Sequence, residues 1–136
     1  MLSVPIDLEV ILPHGHVAYA DGSMLEYDPA DPLAVTMAIA DPLHGGVKPW
    51  IFARDVLADG LCCTREPGDG DVRVWRCGPY EVHITLDSPE GTTEMHADPG
   101  QVDHFLTLSY LLVPLGHELD AVDAEAELDA LLDGAA

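Results

Sequence analysis

The chain has 136 residues, 48% of them hydrophobic, enough to build one core of ordinary size and to expect a single domain over 1–136. Five Lys and Arg stand against 25 Asp and Glu, a formal charge of −20 that repels phosphate backbones and anionic membrane surfaces and argues against nucleic acid as a partner. The N-terminus has no basic region leading into an apolar run. The longest apolar stretch, FLTLSYLLVPL at 105–115, is too short and interrupted to span a bilayer, so a cytoplasmic location is expected.

In chain order, VPIDLEVIL (4–12) alternates Ile6, Leu8, Val10 and Leu12 with polar Asp7 and Glu9, the period of one strand with a wet face. HVAYA before the Asp21-Gly22 pair reads as an extra strand entering a hairpin turn. A further strand ends at Tyr27. Asp28-Pro29 and Asp31-Pro32 then bar regular pairing and make a rigid corner before a strand from Leu33 to about Ala40. VKPWIFA (47–53) is the next strand, after which Val56, Leu57 and Leu61 take helical spacing, with Gly60 placed to stop a short helix. DVRVWR, YEVHITLDS and TTEMHAD follow, separated by Cys77-Gly78-Pro79 and Pro89-Glu90-Gly91, and form an antiparallel meander.

At Asp98 the period changes. Asp98, Pro99 and Gln101 have the order of a capping box, and Val102, Phe105, Leu106, Ser109, Leu112 and Val113 trace one face of a helix running to Pro114. Leu108, Tyr110 and Leu111 make its other sides apolar too, which points to a homo-oligomer. DAVDAEAELDALLDG (120–134) reads as a second helix. The fold class is therefore α+β: antiparallel strands, a short helix after 47–53 and a C-terminal helical pair.

The candidate chemistry is sparse. Histidines and cysteines (Cys62, Cys63, Cys77, His83, His96) lack the paired spacing of zinc ligands, so no metal is assigned; His83 and His96 read as a cross-strand surface pair, and the cysteines as free thiols. No serine sits in a nucleophile elbow, and GDGD at 68–71 has no lysine after it to make a phosphate loop. No catalytic residue and no cofactor is assigned, and the chain is read as a non-enzyme. All five basic residues lie between Lys48 and Arg76, where five acids balance them, leaving a neutral segment between acidic flanks. Within it Trp50, Arg54 and Asp55 are read as a structural corner, with Arg54 and Asp55 as a local ion pair. Arg65, Arg73 and Arg76 are read as outward bases free to meet an acidic partner.

YDPADPLAV (27–35), WIFARDVLADGL (50–61), GDGDVRVW (68–75), SPEG (88–91) and LVPLGHE (112–118), in that order, resemble the SsgA-like sporulation and cell-division proteins of actinomycetes over about residues 5–133. The resemblance implies two antiparallel sheets of about seven to eight strands, similar to the whirly single-stranded-DNA-binding proteins, assembled as a trimer. It implies a non-enzymatic regulator of septation whose partners are division or septum-siting proteins such as the tubulin-like FtsZ. Single-stranded nucleic-acid binding is the alternative that the whirly likeness raises; it needs a basic groove with aromatics to stack on, and five bases among 25 acids do not supply one.

Overall fold

The computed structural model describes residues 1–120. Nine strands and two helices follow one another as β1 (Leu2–Pro5), β2 (Leu8–Ile11), β3 (Val17–Tyr19), β4 (Met24–Tyr27), β5 (Ala34–Ala40), β6 (Val47–Ala53), α1 (Arg54–Cys62), β7 (Val72–Cys77), β8 (Glu81–Ser88), β9 (Gly91–Ala97) and α2 (Pro99–Leu112). The strands form two antiparallel sheets, one of four in the order β1-β4-β5-β6 and one of five in the order β3-β2-β9-β8-β7. The expected α+β architecture is thus present, including the β7-β8-β9 meander; the expected second C-terminal helix lies outside the described residues.

The expected first strand is two. The chain leaves one sheet after Pro5 and enters the other at Leu8, so VPIDLEVIL spans both. The break is held from a distance: Ile6 N–H donates to Ser23 O at 3.1 Å, and Asp7 is gripped by the Gln101 side chain. Gln101 Oε1 accepts from Asp7 N–H at 2.8 Å while Gln101 Nε2 donates to Asp7 Oδ2 at 2.8 Å. The capping box therefore does not close. Asp98 caps α2 by accepting from Gly100 N–H at 3.1 Å, and Gln101 serves a strand break 94 residues away.

The Asp21-Gly22 turn also differs from expectation. Its geometry is tight, with Gly22 at φ +91° and Ser23 N–H donating to Ala20 O, but it connects β3 of one sheet to β4 of the other and is no hairpin. Buried Ser23 fixes the crossing, its hydroxyl donating to Ala20 O at 2.7 Å and accepting from Ala40 N–H at 3.0 Å. The Asp-Pro corner at 28–32 is closed by Tyr27, whose hydroxyl donates to Pro32 O at 2.8 Å.

Gly60 does not stop α1 but lies inside it, where α1 crosses β7. A Cβ at Gly60 would stand 2.4 Å from Val74 Cγ1 and 2.8 Å from Val74 O, so only glycine lets the helix lie this close. Side chains of both sheets, Leu57 of α1, and Val102, Phe105 and Leu106 of α2 join one core. A fully buried side chain such as Phe105 contributes roughly 1.5–3 kcal/mol of burial free energy, and α2 supplies three to this core.

Candidate functional site

The strand-to-helix switch in WIFARDVLADGL places Arg54 at the first turn of α1, 1% exposed. A cation there opposes the dipole of its own helix. It serves another. Arg54 Nη1 donates to Val113 O at 2.9 Å, Ser109 O at 3.3 Å and Ser109 Oγ at 3.4 Å, so its charge sits at the C-terminal end of α2, which has no basic residue in its last turn. Nη2 donates to Glu118 Oε1 at 2.9 Å. The guanidinium lies between two aromatic rings, 4.9 Å from the Tyr27 centroid and 4.5 Å from that of Tyr110. Burial pushes both phenols up, while Glu118's own backbone N–H and then Arg54 hold its carboxyl below the usual range.

This corrects the expected Arg54–Asp55 pair. Asp55 is exposed and favourable to the α1 dipole, and the ion pair of Arg54 is with Glu118. Trp50 is half-buried against the core and Phe52 is buried, so β6 enters the corner anchored.

The three arginines read as outward bases do not form one surface. Arg73 is engaged: Nε donates to Glu66 Oε1 at 3.0 Å, Nη1 to Gly70 O at 3.0 Å, and both Nη atoms reach Asp87. Hydrogen bonds from Arg73 and then Thr92 hold the Asp87 carboxyl below the usual range. Arg73 thus ties the 66–70 loop to β8 and is not a free base. Arg76 shares the face of Val72 and Val74, since the period along β7 is two, and lines a cavity of about 500 Å³ with Leu61, Asp103 and Tyr110 between α1 and α2. Its guanidinium donates to Gly78 O at 3.1 Å and Pro79 O at 3.3 Å. Arg65 is exposed and, among the described residues, makes no ion pair.

On the outer face of the five-stranded sheet, pairing sets Tyr19, Glu9, His96, His83 and Trp75 in one row across all five strands. The expected His83–His96 pair is there, with ring centroids 4.2 Å apart and an interplanar angle of 20°. Glu81, two residues before His83, brings its carboxylate to the same place. Spacing along the chain could not show this cluster; strand register does. All three cysteines are free thiols.

A family model described as Streptomyces sporulation and cell division protein, SsgA, matches residues 22–118. This chain belongs to the SsgA family. Its SsgA-family relatives include a sporulation-specific cell division protein SsgB of Frankia casuarinae, 35% identical over 136 residues, covering 98% of this chain and 92% of the relative. An SsgB of Streptomyces coelicolor is 40% identical over 111 residues, 79% of each chain. The SsgA-family fold agrees with a crystal structure of an SsgA-like sporulation-specific cell division protein from Thermobifida fusca, at TM-score 0.77 and 34% identity over 95% of this chain and 93% of that one. A structure of SsgB from work on longitudinal cell division during sporulation of Streptomyces coelicolor gives TM-score 0.72 and 37% identity, covering 85% and 89%. The Arg54 knot lies within the family match, since Tyr27, Ser109, Val113 and Glu118 all fall in 22–118.

Proposed function

We propose that the chain is a non-catalytic adaptor of sporulation-specific cell division that binds a division or septum-siting protein, with FtsZ as the first partner to test. The observation that carries this reading is the match along 98% of the chain to a protein named for sporulation-specific cell division. The geometry is in keeping with it: among the described residues no serine or cysteine is hydrogen-bonded to a histidine in the manner of an activated nucleophile. The outer row of the five-stranded sheet carries Tyr19 and Trp75, on which bases could stack, but Glu9 and Glu81 beside them repel a phosphate backbone.

The docking surface in this proposal rests on exposed Arg65 and on the adjacent cavity lined by half-buried Arg76, whose backbone N–H donates to Cys63 O and so holds the 63–65 segment beside it. Arg73 is occupied within the fold, and its part is to hold the loop that presents Arg65. Copies of the chain associate as a homotrimer, which light scattering on the purified protein tests; a monomer would remove that part. The adaptor reading is tested by co-sedimentation with FtsZ polymers and by complementation of a sporulating actinomycete lacking its own relative. Arg65→Glu with Arg76→Glu is expected to keep the melting temperature and lose both co-sedimentation and regular septation. Normal septation by the double reversal would move the docking surface elsewhere, and failure of the unaltered chain to restore septation would remove the adaptor reading.

A further inference from the structure

We propose that Glu81, His83 and His96 form a binding site for one divalent transition-metal ion of the zinc class. Their ligand atoms all lie within 4.8 Å of one another. Glu81 Oε2 stands 3.4 Å from His83 Nε2 and 3.8 Å from His96 Nδ1. Donors on a tetrahedral ion at about 2.0–2.1 Å are roughly 3.3 Å apart, and the two rings stack with only 20° between their planes, so binding turns the imidazoles out of their stack to aim both lone pairs at one ion.

A second observation points the same way. His83 Nε2 is buried and, despite its proximity to Glu81, makes no hydrogen bond among the described residues. A buried ring nitrogen without a partner is costly, and a metal supplies one. The strands fix the remaining geometry. His83 and His96 are register partners on β8 and β9, Glu81 precedes His83 by two residues on the same face, and a sheet holds such donors more rigidly than a loop.

Charge and chemistry define the ion. His96 also lines a depression of about 420 Å³ with Asp7, Glu9, Asp21, Glu81 and Asp98, which concentrates cations at its mouth. Two imidazoles and one carboxylate select zinc, cobalt or nickel over magnesium and calcium, which prefer oxygen donors alone. Three protein ligands leave an open coordination position for water or for a side chain of a bound partner.

The test uses the full chain and the metal alone. Calorimetric titration with Zn²⁺ in excess Mg²⁺, which fills weak carboxylate sites, is expected to give saturable binding of one ion per chain. His83→Ala and His96→Ala should each weaken it at least about tenfold, while His104→Ala, an exposed histidine on α2, should leave it unchanged. The unaltered protein gives an independent readout. The Trp75 ring lies 5.3 Å from His83, so Ni²⁺ or Co²⁺ should quench its fluorescence with the same stoichiometry, and Trp75→Phe should remove the quenching but not the binding. Absence of saturable binding, or binding and quenching that survive loss of either histidine, overturns the site.

Discussion

Replacing Arg54 by alanine removes a buried cation that four hydrogen bonds and two aromatic faces surround. Hydrogen bonds to a charged group are worth about 1.5–3 kcal/mol and each cation–π contact about 0.5–2, but the guanidinium lost its hydration to make them. The net cost of breaking such a pair on one side is about 3–5 kcal/mol. The lower half of that range fits here, because Glu118 is near the surface and regains water and Ser109 O keeps the Val113 N–H, whereas the half-buried Val113 carbonyl loses its donor. For a chain of this length that corresponds to a fall in melting temperature of roughly 10–15 °C, read by scanning calorimetry at neutral pH. Arg54→Lys keeps the charge but not the flat fork between Tyr27 and Tyr110, and should recover only part of the loss. Asp55→Asn should leave the melting temperature nearly unchanged, and Glu118→Gln should lower it. An Arg54→Ala fall below about 3 °C, or a larger effect at Asp55 than at Glu118, would refute the knot.

Two other outcomes follow from local geometry. Gly60→Ala, which in an open helix would stabilise by up to about 1 kcal/mol, should instead destabilise by about 1–3 kcal/mol in urea unfolding because of Val74; adding Val74→Ala should restore only part, since the Val74 carbonyl also stands in the way. Backbone N–H groups of Leu43 and then His44 hold the Asp41 carboxyl at about 2 against an ordinary 3.8. A depressed carboxylate stabilises fully above its unfolded value and loses that as pH falls through its folded one. The melting-temperature gap between the chain and Asp41→Asn should therefore be largest above about pH 5, shrink as pH falls below 4, be mostly lost at 2 and close only below it; a gap unchanged at pH 2 would contradict the turn's geometry.

What the sequence could show depended on how far apart the interacting residues are. Alternation and turn residues lie within a few positions of each other, so β5, β6, the β7-β8-β9 meander and the start of α2 were all readable, as was β3. The sheet switch at Ile6 and Asp7 was not, because alternation runs straight through it and its cause is Gln101. Gly60 looked like a stop signal; the nearness of Val74 is a tertiary fact that no local pattern carries. Arg54 is legible as a corner residue, but its ion-pair partner is not its neighbour Asp55 and lies 64 residues on. Among Arg65, Arg73 and Arg76, the period along β7 already set Arg76 on the face of Val74, a signal that was available, whereas Asp87 as the partner of Arg73 needed the β7-β8 pairing. Glu81, His83 and His96 likewise converge only once register is known.

The crossings at 6–7 and 20–23 mean that the first 21 residues are not a leader to the matched region but part of both sheets. A fragment cut at the family boundary, 22–118, would lose β1, β2 and β3 together. It would bare the edge of β4 in one sheet and of β9 in the other. Two newly opened edges on one small body, each with unpaired N–H and C=O groups, are templates for adding strands from further copies, and such a body grows into chains. Gel filtration of the fragment should show it leaving in the void volume while the full chain elutes as a discrete species. A well-behaved 22–118 fragment would mean that the sheets do not need the strands that stitch them.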